Sequence, residues 1–344
     1  MQESLTWHMD MGESQELSPS LNPALLAQWT RVALSTNQAD PFCCTPTWQL
    51  PFYQVFCPHR PALIKVSSGN VLAFAVKLFD PTKMFLIPID SHWFFGCPVL
   101  GPGAVELLHE VVRDIEGLYG SLFSGMVISG IRPGGVLARR LRRVFSGKFR
   151  ISPYLEQVQC AASLSGGMDG YLARRSGNHR RKIRQQMRRA IQKGVWFERI
   201  SPSTMEDADR IFDRMLTVER ASWKGREHCG MDQEPAVSFY RAMLHRLTMT
   251  QAARIMFARH EGQDIGYIFG GMAQRIYRGQ QFSYVQEWRD ISIGNLLQAE
   301  QIKWLCEEKA KRYDMGPLRG PKMAYKTHWT EKHMPAATWI LVKT

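Results

Sequence analysis

The segment Arg289-Asp290-Ile291-Ser292-Ile293-Gly294-Asn295-Leu296-Leu297 follows a strand pattern ending near Glu287 and opens a helical pattern at about Asn295. Strand, small-residue turn and helix N-terminus together make an anion site. The first N–H groups of a helix have no carbonyl partners, and the helix dipole adds positive potential at the same spot. Small side chains let a phosphate come up to the backbone. Arg289, Ser292, Ile293, Gly294 and Asn295 are therefore the candidate cofactor ligands. Glu219, Glu287 and Asp314 could take a proton, Tyr325 could give one, and Lys326 could steady negative charge. Four of the five also have a bland reading: Glu219 as the solvated face of a helix, Asp314 as a turn cap, Tyr325 and Lys326 as an amphipathic surface.

These residues must be held by strands and helices, and the chain shows the same order of elements twice, offset by about 190 residues. Leu63–Val66 and Val71–Val76 flank Ser67-Ser68-Gly69-Asn70; Ile255–Ala258 and Ile265–Phe269 flank His260-Glu261-Gly262-Gln263. Both patterns predict hairpins. A third strand follows each (Met84–Ile89; Gln281–Gln286), then a glycine, Gly103 or Gly294, opens a helix. Val105, Leu108, Val112 and Ile115 mark the apolar face of the first helix; Leu297, Ile302, Leu305 and, less regularly, Ala310 mark that of the second. Further strands are expected at Met126–Ile131 and Arg312–Met315, then a short helical segment and a final strand in each half (Phe149–Tyr154; Ala337–Val342). An amphipathic helix over Pro23–Leu34 leads the chain, and residues 1–18 are expected to be disordered.

Hairpin, strand, glycine-opened helix, strand, helix, strand is similar to the core of the GNAT acyltransferases. The segment at 289–294 resembles their pyrophosphate loop, Arg/Gln-x-x-Gly-x-Gly/Ala, with Ser292 standing where the first glycine is usual. Tyr313-Asp314-Met315-Gly316 with Tyr325-Lys326-Thr327-His328-Trp329 resembles the C-terminal signature of the CelD/BcsL-like acetyltransferases, a GNAT subgroup related to the FemAB transferases. Pro41-Phe42-Cys43-Cys44-Thr45-Pro46-Thr47-Trp48 and Glu219-Arg220-Ala221-Ser222-Trp223-Lys224-Gly225 are similar to other segments of that group. The resemblance runs from about Leu25 to the end. It implies an α/β fold of two tandem GNAT-like domains, each a mixed, mostly antiparallel sheet flanked by helices. A degenerate N-terminal domain would span 19–160 and an acyltransferase domain 161–344. Gly101-Pro102-Gly103 has no counterpart of Arg289 before it, so the first domain is expected to shape the acceptor pocket and hold no second coenzyme.

The implied chemistry is transfer from an acyl-CoA, acetyl-CoA first, to an amine of a small molecule, sugar or peptide. Trp223, Lys224 and Trp329 would contact substrate. The alternatives are a FemAB-type transferase fed by aminoacyl-tRNA and an inactive binding protein on the same fold.

Composition bounds these readings. In 344 residues, 44% hydrophobic and 22% charged, a normal core is possible. No stretch reaches the roughly 20 apolar residues of a membrane helix. Seven irregularly spaced cysteines suggest reduced thiols, and with the polar N-terminus they point to the cytoplasm. Cys57-Pro58-His59, His92 with Cys97, and His228-Cys229 lack zinc spacing, so no metal is expected. The net charge of +13 fits a polyanionic partner: nucleic acid, an anionic membrane or a nucleotide-bearing substrate. Nine Lys or Arg and no acid lie between Tyr171 and Phe197, with Ile183, Met187 and Ile191 expected to pack. A solvated basic face is the first reading of this helix (171–193); a polyanion contact through Arg174–Lys193 is the functional one.

Overall fold

The computed structural model describes residues 22–344, so the expected disorder of residues 1–18 lies outside the described part. Contacts divide the chain into two units. One runs to Gln157 and also takes Pro335–Thr344; the other is Val158–Met334.

In the first unit, α1 (Pro23–Ser35) starts where the Asn22 carboxamide accepts the Leu25 N–H (2.9 Å), with proline at its first position. It buries Trp29, Val32 and Ala33. After α2 (Pro46–Phe56), β1 (Ala62–Ser67) and β2 (Asn70–Asp80) form an antiparallel hairpin. Its two turn residues, Ser68 (φ +44°) and Gly69 (φ +81°), both adopt the left-handed conformation a tight hairpin turn needs. β3 (Lys83–Pro88) pairs antiparallel with β2, and the short β4 (Val99–Leu100) also joins β2. α3 (Ala104–Tyr119) leads to β5 (Phe123–Ile131), which lies parallel to β3. α4 (Val136–Phe145) and β6 (Phe149–Ser163) follow. The last strand of the chain, expected to close the second half, pairs antiparallel with β5 through Ala337–Val342. Burial along its length gives it an apolar face that suits this partner.

A buried carboxyl organises the loop after β3. Asp90 Oδ2 accepts the N–H groups of Gly96 (2.7 Å) and Phe95 (2.9 Å) and the Trp48 indole N–H (3.4 Å). These bonds favour the ionised form, yet burial among Trp48, Trp93 and Phe95 prevails and pushes Asp90 up to about 7. Below the ordinary carboxylate pKa of about 4, both folded and unfolded chains hold this proton, and the folded preference is fully expressed. Between about pH 4 and 7 only the folded chain holds it, so stability falls as pH rises through that window. We expect a loss on the order of 4 kcal/mol over this range, absent in Asp90→Asn, measured by urea denaturation at several pH values.

The second unit begins with the end of β6, α5 (Gly167–Ala173), α6 (Gly177–Gln192) and β7 (Trp196–Ile200). Three helices follow: α7 (Met205–Ala221), α8 (Trp223–Arg226) and α9 (Ala236–Met249). β8 (Ala253–His260) and β9 (Gln263–Ala273) form a second hairpin whose turn, Glu261 (φ +46°) and Gly262 (φ +80°), repeats the first. Then come β10 (Ile276–Tyr284), α10 (Ile293–Glu307), β11 (Arg312–Pro317), α11 (Lys326–Trp329) and β12 (Lys332–Lys343). Sheet order in this unit is β6-β11-β10-β9-β8-β7, antiparallel except for β10 with β11. Each unit thus carries a mixed, mostly antiparallel sheet flanked by helices, with one parallel pair joined through a helix. A strand–helix–strand crossover supplies that pairing. Among the described residues, no helix is long and apolar enough to cross a membrane.

Candidate functional site

β10 and β11 run parallel only over Ile276–Arg278 against Arg312–Asp314. Beyond that point their hydrogen bonding stops, and both strands are irregular: β10 shifts register against β9 between Gly279 and Gln281, and β11 against β6 between Asp314 and Gly316. A parallel pair that parts at a bulge leaves backbone groups without ladder partners, which is where a ligand can hydrogen-bond to a strand.

The chain leaves β10 through a 3-10 turn (Gln286–Ile291) and enters α10 at Ile293, two residues earlier than the sequence pattern places it. Ser292 is the N-cap, with φ +62° and ψ +40°. Its carbonyl accepts the N–H groups of Asn295 (2.9 Å) and Leu296 (3.2 Å), so the N–H groups of Ile293 and Gly294 are those a helix leaves without an internal carbonyl. The left-handed conformation explains why glycine is usual at this place. We expect Ser292→Val to lose about 2 kcal/mol or more in urea denaturation, because a β-branched residue is strained at positive φ. Ser292→Gly should stay within about 1 kcal/mol of the wild type, exchanging strain for chain entropy and the hydrogen bond from Gln186. That bond joins α6 to the turn, Gln186 Nε2 donating to Ser292 Oγ at 2.8 Å.

Close packing fixes α10 on the sheet. A Cβ on Gly266 of β9 would lie 2.8 Å from Ile293 Cγ2, and one on Gly294 would lie 3.1–3.3 Å from the rings of Tyr284 and Phe282. Ile293 itself is fully buried, so only its backbone can meet an anion. Asn295 is half-buried, and Arg289 is exposed at the rim of the turn.

Phe282 of β10 gathers several expected residues, though sequence alone did not single it out. Its ring meets that of Tyr325 edge-on (5.8 Å between centroids), and its carbonyl accepts Lys224 Nζ at 2.8 Å. Lys224 also donates to Gln281 Oε1 (3.0 Å) and lies 3.6 Å from Glu219 Oε1. Burial pulls the Lys224 ammonium below its ordinary pKa, and Glu219 opposes that. Glu219 is wholly buried: Oε1 accepts the Met231 N–H (3.0 Å) and Oε2 the Tyr267 hydroxyl (2.8 Å). Gln281 extends the network, donating to the Tyr240 hydroxyl at 2.7 Å. Trp223 lies under the Lys322 ammonium (4.5 Å), which in turn pairs with Glu227 at 2.9 Å. Lys224 and Tyr325 therefore converge on the outer half of β10, with Trp223 next to Lys224 in the chain. Burial raises the Tyr325 phenol above its ordinary pKa, so it remains a proton donor at neutral pH.

Other expected residues fall elsewhere. Asp314 is buried in the middle of β11, beside Arg312, at the last paired position before the strands part. Glu287 is exposed in the 3-10 turn, beyond the end of β10. Lys326 is buried and donates to the Pro317 carbonyl at 2.7 Å, tying α11 to the end of β11. Trp329, expected to touch substrate, is only 3% exposed; it packs in the core with Tyr171, Tyr313 and Met315, and its carbonyl accepts the Tyr171 hydroxyl. Arg278, which sequence reasoning passed over, is buried opposite Asp314, and a Cβ on Gly316 would lie 2.8 Å from its guanidinium.

The equivalent place in the first unit is occupied by the protein itself. Asn70 Oδ1 accepts the Gly103 N–H (2.7 Å) at the start of α3, and Glu106 in the first turn pairs with Arg140. A carboxamide and a carboxylate already stand at that helix end. Among the described residues, no group of three or more His, Cys, Asp or Glu is placed to hold a metal ion.

Residues 177–327 match the model of the acetyltransferase (GNAT) domain family. Among solved structures, FemX is similar over 93% of this chain and 96% of its own (TM-score 0.65, 11% identity). L-PGS from Bacillus licheniformis is similar over 96% and 94% (TM-score 0.58, 14% identity). The C-terminal domain of a putative lysylphosphatidylglycerol synthetase from Agrobacterium fabrum is similar over 92% and 91% (TM-score 0.57, 11% identity). At such identities the likeness is one of fold. No curated protein matches the sequence.

Proposed function

We propose, from the match of residues 177–327 to the acetyltransferase (GNAT) domain model, that the chain is an acyl-CoA-dependent N-acyltransferase, acetyl-CoA being the first donor to test. The observation that carries this reading is the parting of β10 and β11 beside the N-terminus of α10, where the N–H groups of Ile293 and Gly294 have no internal carbonyl and could meet an anion. In this reading the diphosphate of the donor lies on the Ser292–Asn295 turn with Arg289 beside it. The donor's thioester would supply the acyl group. Backbone N–H groups of β10 beyond the Gly279–Gln281 irregularity would polarise its carbonyl, as preorganised donors stabilise charge that develops during acyl transfer. Tyr325, held neutral beside Phe282, would protonate the departing thiolate.

The acceptor amine must lose a proton. Glu219 has both oxygens engaged and no exposure, so we assign it, with Lys224, to holding Gln281 and Phe282 in place. Asp314 and Glu287 remain the proposed proton acceptors, either directly or through water. Acceptors in this class are amines of a small molecule, sugar or peptide. At the start of α3 the Gly103 N–H is already bonded to Asn70, whereas α10 starts at the left-handed Ser292 with the Ile293 and Gly294 N–H groups lacking an internal carbonyl, which supports one donor site per chain.

A donor delivered on tRNA is the second reading, favoured by the contact of basic α6 with the turn at Ser292. Native mass spectrometry of the full chain with acetyl-CoA, longer acyl-CoAs and bulk aminoacyl-tRNA separates the two. One acyl-CoA bound per chain is expected; binding of tRNA alone would replace the acyl-CoA reading, and binding of neither would refute both.

A further inference from the structure

The basic run is not one surface. Arg175 is buried against Glu331, and Arg174 lies near the same carboxylate while bonding the Ser163 and Ser165 carbonyls (2.7 and 3.0 Å). The face that meets solvent belongs to α6 and its cap: Arg181, Lys182, Arg184, Arg188, Arg189 and Lys193 are all exposed. On the inner side, Gln186 and Ala190 are buried and Ile183 and Met187 are half-buried. Ile191, expected to pack with them, is 63% exposed. Helical spacing explains this: at 100° per residue Ile191 stands about 140° from Gln186, roughly 20° from Arg184 and 60° from Arg188, on the outer face. Past a turn in which the Gly194 N–H bonds back to the Ile191 carbonyl (2.9 Å), Trp196 is 47% exposed. The Arg259 guanidinium covers one face of its ring at 5.2 Å.

We propose that this surface, α6 with Ile191 and Trp196, docks the protein onto an anionic lipid bilayer. The exposed cations would meet lipid phosphates, Ile191 would enter the acyl boundary, and Trp196 would lie at headgroup level, the usual place of an indole on a membrane. Charge complementarity favours any polyanion, but the apolar pair narrows the choice. A nucleic-acid backbone offers Ile191 no apolar phase, and Arg259 obstructs base stacking on one face of Trp196. Near this patch, Glu198 and Asp264 are already paired with Arg214 and Arg259. Glu261 of the β8–β9 turn is an exposed acid, next in the chain to His260, whose ring faces Gly194. The inference stands apart from the acyl-transfer reading and would hold for an inactive chain.

The test is co-sedimentation of the full chain with vesicles of phosphatidylcholine alone and of phosphatidylcholine with about one third phosphatidylglycerol, at low and physiological salt, with poly(A) RNA as a parallel ligand. Binding is expected only to the anionic vesicles and to weaken with salt. Arg184→Glu with Arg188→Glu should lower the partition coefficient at least tenfold, and Ile191→Ser, at a largely exposed position, by roughly tenfold on its own. Equal binding of both vesicle types, no vesicle binding, an Ile191→Ser variant that binds like wild type, or RNA binding without vesicle binding would each overturn the proposal.

Discussion

Replacing Gly294 by Glu is expected to weaken acetyl-CoA binding at least 100-fold by isothermal titration calorimetry. A carboxylate there would stand within a few ångströms of the donor's diphosphate. At the effective dielectric of a partly buried site, each such like-charge pair costs about 4 kcal/mol. The position is crowded as well, since even a Cβ would meet the rings of Tyr284 and Phe282 at 3.1–3.3 Å. Gly294→Gln therefore serves as the control: it brings the same bulk and no charge. If Glu and Gln weaken binding equally, the effect is steric and the diphosphate does not lie on this turn.

Removing the Glu219 carboxylate with Glu219→Ala is expected to cost about 3–5 kcal/mol in urea denaturation, because a buried partner is taken from Lys224, Tyr267 and the Met231 N–H together. The Lys224 side chain keeps only 17% of its surface in water, so its charge has little solvent to fall back on. Adding Lys224→Met should restore about 1 kcal/mol or more, since the stranded ammonium is removed with its partner. The same residue separates two roles. If Glu219 positions β10, Glu219→Gln lowers stability and turnover together; if it takes the acceptor's proton, Glu219→Gln leaves stability near wild type and abolishes turnover alone.

Much of the architecture is written in local signals. Gly69 and Gly262 announce the two hairpin turns because glycine takes a positive φ without strain, whereas Ser68 and Glu261, also at positive φ, give no such signal. Val105, Leu108, Val112 and Ile115 give α3 its buried stripe at helical spacing. α10 is harder to place, since it is buried on several sides and its apolar pattern is blurred; its start at Ile293 depends on the left-handed Ser292. The partner of the last strand could not be read, because strand alternation says which face is apolar and not which neighbour covers it.

The site was legible as a turn and less so as a constellation. Gly294 and Ser292 carry their meaning in their size, whereas Phe282 and Gln281 lie in an ordinary strand whose facing changes at the Gly279–Gln281 irregularity. Glu219 was visible as a carboxylate five residues before Lys224, but its complete burial depends on Tyr267 and Met231, which are distant in sequence. Trp329 looked like a substrate contact from its motif and proved to be core, the commoner fate of a large aromatic side chain.

The central claim is that a single acyl-CoA lies on the α10 turn along the outer half of β10. Hydrogen exchange with and without saturating acetyl-CoA tests it directly. Slowed exchange is predicted for the amides of residues 292–296 and 280–284, with those of 101–107 at the start of α3 unchanged. Protection at 101–107, or none at 292–296 while the ligand is bound, would contradict it.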